Sequence, residues 1–123
     1  MGTRAVRGAV GVEANNSEAI LAATRDLLEQ IVAENGICAD ELVSVVFTAT
    51  PDLTAAFPAR AARDMGWDDV PLMCMQEMAV PGGLVGCIRV LVHWNTDKSQ
   101  SEIAHVYLRG AQALRPDLAK KPK

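Results

Sequence analysis

The chain contains few of the residues that enzymes use for acid–base or covalent chemistry. Its 123 residues include only two histidines, one tyrosine and three cysteines. Because Cys38, Cys74 and Cys87 are odd in number and form no CxxC pair, we expect reduced thiols rather than a disulfide framework or a zinc site. The sequence also has no HExxH motif, serine elbow or carboxylate pair, so it predicts no bound metal and no hydrolytic nucleophile.

Long apolar runs and blocks of one charge are also missing. No stretch reaches the roughly 18 apolar residues of a membrane span, and the N-terminus lacks the pattern of a signal peptide. The formal net charge is −3, and basic residues cluster only at Lys120, Lys121 and Lys123, which we interpret as a solvated end. These features predict a cytoplasmic protein that binds neither membrane nor nucleic acid.

The length and hydrophobic content indicate one small domain over residues 1–123, with residues 115–123 forming a flexible C-terminal tail. Half of the residues are hydrophobic, which is enough for a packed core. A domain of this size buries only about two thirds of its unfolded surface, so it has little material from which to form a deep pocket. A ligand site shared between subunits is therefore the easier solution.

Hydrophobic periodicity predicts an α+β fold in which a mixed β-sheet packs against helices on one face. The other face then needs a cover, for which a partner subunit is the natural candidate. The predicted strands are Arg4–Val10, Leu42–Thr48, Val70–Met75, Cys87–Trp94 and a short one around Val106 and Leu108. The predicted helices run from a cap at Asn16 or Ser17 to Asn35, and from Pro58 to Met65.

Two arginines lie in the middle of strongly apolar strands. An unpaired buried guanidinium at Arg7 or Arg89 would be costly. One interpretation is an internal ion pair or an exposed strand edge. The other is an anion site, because the planar fork of arginine matches a carboxylate and does not lose its proton.

The remaining candidate side chains are ambiguous when each is taken alone. Glu77 could be a surface carboxylate, and Tyr107 a half-buried sheet residue. Cys74 would need His93 or His105 as a base to act as a nucleophile, and no motif supports either pair. The scarcity of acid–base groups beside several placed arginines favours a reaction that depends on electrostatic positioning rather than on proton transfer.

Blocks distributed over nearly the whole chain resemble the monofunctional chorismate mutases of the trimeric α/β class. Each block is weak alone, but together they are specific. They are Arg4-x-x-Arg7-Gly8-Ala9, Thr50-Pro51-Asp52-Leu53 with Phe57-Pro58-Ala59-x-Ala61-x-Arg63, Val70-Pro71 with Cys74-Met75-Gln76-Glu77-Met78, Cys87-Ile88-Arg89-Val90, His105-Val106-Tyr107-Leu108 and Leu114-Arg115-Pro116-Asp117-Leu118.

The resemblance implies a chorismate-mutase-like homotrimer, a pseudo α/β barrel with active sites at its subunit interfaces. It implies the pericyclic Claisen rearrangement of chorismate to prephenate, a step in phenylalanine and tyrosine biosynthesis. It also implies that the reaction uses no metal, cofactor or covalent intermediate.

The resemblance further assigns roles to individual residues. Arg7 would hold a substrate carboxylate with help from Tyr107, and Arg89 would bridge the ether oxygen and the enolpyruvyl carboxylate. Glu77 would bind the ring hydroxyl, with Cys74 beside it. The tail would help to close the site. The other implied substrate-binding residues are Phe57, Ala59, Arg60 and Arg63 from the neighbouring subunit, together with Met73, Leu114 and Arg115.

Two other functions remain open at this point. One is a trimeric enamine/imine deaminase, whose interfacial arginine also binds a carboxylate. Arg115-Pro116-Asp117 is faintly similar to its motif, but Arg7 and the block from Cys74 to Glu77 do not fit. The other is a non-catalytic module that senses a metabolite of aromatic biosynthesis. Loss of chorismate on mixing with the protein distinguishes the three.

Overall fold

A computed structural model describes residues 2–111 of the chain, and its elements follow the predicted order. Two short 3-10 turns, Ala39–Glu41 and Gln100–Glu102, connect larger elements. The strands and helices are β1 (Gly2–Gly11), α1 (Ser17–Asn35), β2 (Leu42–Ala49), α2 (Ala59–Asp64), β3 (Leu72–Gln76), β4 (Cys87–Thr96) and β5 (Val106–Leu108).

The five strands form one mixed sheet in the order β3-β2-β4-β1-β5. The pairs β1–β4 and β2–β4 are antiparallel, whereas β1–β5 and β2–β3 are parallel. The strand β3 begins at Leu72, after the predicted start at Val70. Pro71 accepts a hydrogen bond from the Val45 amide at 3.0 Å but has no N–H to donate, so regular pairing starts only after it.

The long helix α1 is bounded as its sequence indicates. The Asn16 side chain accepts a hydrogen bond from the Ala19 amide at 2.8 Å, and Gly36 follows the helix in the left-handed conformation with φ of 68°. Within residues 2–111 no helix is both long and apolar enough to cross a membrane. The buried stripe of α1 includes Ile20, Ala23, Leu27, Leu28 and Ile31.

Helix α1 lies very close to β1 because the strand carries a glycine at the contact. A Cβ atom on Gly8 would stand 2.7 Å from the Ile31 Cδ1 atom and 3.1 Å from the Leu27 Cδ1 atom. The flanking core residues Val6 and Val10 are fully buried on the same face. This close packing fixes the face on which alternate residues of β1 point away from the helices.

Both helices pack on one face of the sheet, as predicted. The opposite face, which we call the open face, carries the alternate strand residues. It includes the exposed apolar side chains of Met73, Met75 and Leu91, with 58%, 48% and 37% exposure. Elements within residues 2–111 leave this apolar surface accessible, so the expectation of a partner subunit on this face stays a proposal.

Gly36 provides a test of the local backbone. Replacing it with alanine forces a side chain into the left-handed region, where nothing lies within 4 Å of the new Cβ, so only strain operates. We expect Gly36→Ala to lower the free energy of unfolding by about 1 kcal/mol. Urea denaturation at one fixed protein concentration measures this.

The matched variant is Gly36→Asn, because asparagine tolerates the left-handed conformation better than alanine. Its loss of stability should be smaller. Equal losses for the two variants would show that strain at Gly36 is not the cause.

Candidate active site

An ion pair between Glu77 and Arg89 lies on the open face. The Arg89 Nε atom donates to Glu77 Oε1 at 2.9 Å, and Nη2 donates to Oε2 at 2.5 Å. Arg89 occupies an outward position of β4, while Glu77 directly follows β3, where its amide donates to the Ala49 carbonyl at 2.9 Å. The sheet therefore places the two side chains, and the planar fork sets their orientation.

The ion pair controls the charge of both groups. The hydrogen bond from Arg89 is the largest influence on Glu77 and lowers the pKa of its carboxyl, against the opposing effect of burial; a hydrogen bond from Thr48 lowers it further. The same pair raises the pKa of Arg89. Glu77 is therefore a carboxylate, and Arg89 a cation, throughout the neutral pH range.

Arg7 and Tyr107 line the same cavity as this ion pair. The cavity measures about 320 Å³. Arg7 is exposed, and its guanidinium has no hydrogen-bond or ion-pair partner among residues 2–111, while Tyr107 is 92% buried at its inner wall. The free cation beside a fixed one gives the cavity the character of an anion site. Its lining residues are Arg7, Gly8, Val46, Thr48, Glu77, Arg89, Val90, Leu91 and Tyr107.

The structure gives different answers for Arg7 and Arg89 to the question of whether each makes an ion pair or forms an anion site. Arg89 makes the ion pair that the first interpretation described, but it does so on an accessible face with 48% of its side chain exposed. Arg7 is exposed, and its guanidinium makes no ion pair within residues 2–111. Neither is a buried unpaired charge, since the period of two residues turns both away from the core.

A second group of implied site residues lines a separate cavity of about 570 Å³. Phe57 stands at its wall with 72% of its surface exposed, and Arg60 and Cys74 line it as well. Cys74 alternates with the outward methionines of β3 and packs against the core between sheet and helices. In a single chain Cys74 and Glu77 thus line different cavities, although only three positions separate them.

The other implied residues lie near one of these groups or outside the described residues. Ala59 is buried at the start of α2, and Arg63 is exposed on the same helix. Met73 is exposed on the open face of β3. Leu114 and Arg115 fall outside the described residues.

Sequence reasoning missed Thr48, which lies on β2 between the strands that lead to Glu77 and Arg89. Its Oγ1 atom donates to Glu77 Oε1 at 2.7 Å. The available signal was a hydroxyl at the end of a β-branched apolar run, which is a weak one, because threonine is also a common strand residue.

The cysteines differ in exposure. Cys38 is exposed, Cys74 is half-buried and Cys87 is buried, and burial raises the pKa of the Cys87 thiol. Among residues 2–111 no group of three or more His, Cys, Asp or Glu side chains is arranged to hold a metal ion.

The lowered pKa of Glu77 predicts an acid dependence of stability. The folded state binds this proton less readily than the unfolded chain, whose ordinary value is 4.5. The stabilisation is therefore fully present above that pH and is lost as pH falls through the folded value. We expect Glu77→Gln to flatten the decrease in unfolding free energy below about pH 4.5, as measured by urea denaturation at a series of pH values.

Glu13→Gln is the control, because Glu13 is an exposed carboxylate in the loop after β1. It removes one surface carboxylate without touching the ion pair of Glu77 and Arg89. A Glu77→Gln curve that parallels those of Glu13→Gln and the unmodified chain would contradict the assigned coupling between Glu77 and Arg89.

Comparison with known proteins identifies the family. The model of the chorismate mutase type I family matches residues 3–118. The chorismate mutase AroH of Thermus thermophilus is 53% identical over 116 residues, covering 94% of this chain and 95% of that protein. AroH of Bacillus subtilis (strain 168) is 50% identical over 117 residues, covering 94% and 92%. A solved chorismate mutase structure from Clostridium thermocellum superposes with a TM-score of 0.87 at 51% identity, covering 89% of this chain and 97% of that one. This chain therefore belongs to the type I chorismate mutase family.

Proposed function

We propose that this chain converts chorismate to prephenate in the cytoplasm, as a homotrimer in which neighbouring subunits share each active site. The isomerase activity follows from family membership. It is favoured over enamine or imine deamination and over metabolite sensing without turnover. The observation that carries the shared site is the division of the implied residues between two separate cavities of one chain.

The division supports assembly because each cavity holds only part of the required chemistry. One contains Arg7, Glu77 and Arg89, which can grip anionic and hydroxyl groups. The other contains Phe57 and Arg60, an apolar wall and a further cation. In the proposal one subunit supplies the first group, and its neighbour supplies the second, together with Ala59 and Arg63. Met73 and Cys74 keep the roles that the resemblance implies, with Cys74 beside Glu77 in the assembled site. Leu114 and Arg115, outside the described residues, keep the roles that the resemblance implies.

The open face supplies the physical reason for subunits to associate. Met73, Met75 and Leu91 expose apolar surface on it, next to the cavity of Arg89. Burying apolar surface yields roughly 25 cal/mol per Å². A second copy that covers this face would stabilise the assembly and also close the cavity against water.

The reaction suits a site of this composition. In the rearrangement a carbon–oxygen bond breaks while a carbon–carbon bond forms, and negative charge develops on the ether oxygen. Arg89 donates to Glu77 through Nε and Nη2. Its remaining N–H groups are available for the ether oxygen and for a carboxylate. A cation held in place before the reaction stabilises the transition state more than the ground state.

The other groups select the reactive conformer. Arg7 has an available guanidinium for a second carboxylate, and Tyr107 lies in the same cavity. The Glu77 carboxylate can accept a hydrogen bond from the ring hydroxyl. Fixing these groups of the substrate removes much of the entropic barrier to a unimolecular rearrangement. No step of this scheme transfers a proton to a base.

The activity and the role of Arg89 are tested together. The purified chain should consume chorismate, as followed by the loss of chorismate absorbance. Arg89→Ala should lower kcat by at least about a hundredfold, because it removes a donor to the developing oxyanion. Arg89→Lys should recover little, since a point charge cannot bridge two oxygens.

Arg25→Ala is the matched control, because Arg25 pairs with Glu29 on the solvent side of α1. It should leave kcat unchanged. An inactive unmodified chain would refute the function, whereas an active chain with near-normal kcat in Arg89→Ala would refute only the assignment of Arg89.

The shared site predicts complementation between inactive variants. Arg7→Ala and Arg63→Ala chains each should lose activity alone. After subunit exchange, about a quarter of the interfaces would combine two unmodified halves and regain activity. The measurement is chorismate turnover of the mixture compared with each variant.

The control uses light scattering to establish a trimer, and mass-tagged chains to verify exchange. Mixing two Arg7→Ala preparations should restore nothing. A stable monomer at micromolar concentration, or verified exchange without recovery, would contradict the shared site.

A further inference from the structure

The carboxylate of Glu77 is held from two sides. The Arg89 fork binds both of its oxygens, and the Thr48 hydroxyl donates to Oε1 at 2.7 Å. Among side-chain donors, Oε1 therefore accepts two hydrogen bonds and Oε2 accepts one from Arg89, while the backbone amide of Met78 also interacts with the carboxylate. The less occupied oxygen, Oε2, is the one that has lone-pair capacity left for a substrate hydroxyl.

Thr48 owes this position to the sheet. In β2 it pairs with Arg89 of β4 on one side and with Met75 of β3 on the other, and Glu77 follows two residues after Met75. The Thr48 hydroxyl thus reaches the Glu77 carboxylate from β2, the strand that lies between β3, which leads to Glu77, and β4, which carries Arg89. Because the ladder is formed by backbone groups, the sheet itself does not need the Thr48 hydroxyl.

Without Thr48, Arg89 would be the only side chain that holds the Glu77 carboxylate within residues 2–111. A carboxylate held only by a guanidinium moves with it, and in the proposed reaction Arg89 must also bind the substrate. A second donor on a different strand keeps the carboxylate in place while the guanidinium adjusts. A donor fixed before the substrate arrives costs no reorganisation during the reaction.

We propose that Thr48 is a positioning residue that acts through Glu77. Its hydroxyl fixes Oε1 and so leaves Oε2, which accepts fewer side-chain hydrogen bonds, as the acceptor for the substrate hydroxyl. The inference rests on the proposed function, specifically on the role of Glu77 toward the substrate. The lowered pKa of Glu77, to which Thr48 contributes after Arg89, is consistent with it.

Within residues 2–111, the charged and titratable groups around Glu77 come from three strands of the sheet. They are Arg89 and Cys87 on β4, Arg7 on β1 and Tyr107 on β5, while β2 contributes the neutral Thr48. Arg89 dominates, so the ion pair persists without Thr48. Loss of the hydroxyl raises the pKa of Glu77, and the acid side of the pH profile then moves toward neutral pH.

The test compares Thr48→Val with Thr48→Ser in the full chain, using chorismate turnover. Thr48→Val removes the hydroxyl at nearly constant shape and should lower kcat/KM about tenfold at neutral pH. Its acid limb should lie at a higher pH than that of the unmodified enzyme. Thr48→Ser keeps the donor and should restore most of the activity and the original limb.

Thr3→Val is the matched control. Thr3 makes a side-chain hydrogen bond of the same 2.7 Å length, to Asn95 across β1 and β4, without contacting Glu77. The same chemical change there should leave kcat/KM and the pH profile in place. If Thr48→Val does not fold by circular dichroism, Thr48→Ala takes its place in every comparison.

A double-mutant cycle separates positioning from a general structural effect. In a Glu77→Gln background, Thr48→Val should cause little further loss, because its target has already been altered. Equal losses in both backgrounds, a normal acid limb in Thr48→Val, or a Thr48→Ser variant as impaired as Thr48→Val would each overturn the inference. Normal turnover in Glu77→Gln alone would instead refute the proposed role of Glu77.

Discussion

The alternation of side chains along the strands is the constraint on which the site depends. Each strand directs one set of residues toward the helices and the other set toward the open face. In β4, Ile88, Val90 and Val92 enter the core, so Arg89 must point outward. Gly8 allows α1 to lie close to β1 and fixes the same division there. A shift of one residue in register would bury the cations and expose the core.

The ion pair with Glu77 stabilises the Arg89 cation and still leaves some of its N–H groups free to bind another anion. An isolated cation near an apolar surface is poorly solvated, yet a fully neutralised one would be less effective against a developing negative charge. The bidentate contact orients the guanidinium while leaving its other N–H groups accessible. Since 48% of the Arg89 side chain is exposed, the pair adds modest stability, and its main effect is on geometry.

The small size of the domain explains why the implied site residues lie in open cavities at its surface rather than in an enclosed pocket. Both cavities that hold the implied site residues are open to solvent in one chain, and Met73 and Met75 of β3 expose apolar surface on the open face. Association with another copy is the means by which so small a chain can enclose a substrate, as we propose. The same contact would then provide both stability and a dry site.

The element order, the helix limits and the placement of the helices on one face could be predicted from the sequence, because they follow from local periodicity, from the caps at Asn16 and Gly36, and from strand patterning. Its motif blocks also indicated the family. The chain folds Arg7, Glu77, Arg89 and Tyr107 into one cavity, a grouping that the family resemblance implied but that no local pattern contained.

Two features of the site depend on tertiary contacts: Cys74 and Glu77 line different cavities, and Thr48 completes the support of Glu77. The alternation along β3 turns Cys74 toward the helices, whereas Glu77, beyond the end of the strand, reaches across to β4. The contact of Thr48 depends on the pairing of three strands that are distant in sequence. Such register is set by the whole sheet, so Thr48, whose side chain is common in strands, gave only a weak local sign of its contact.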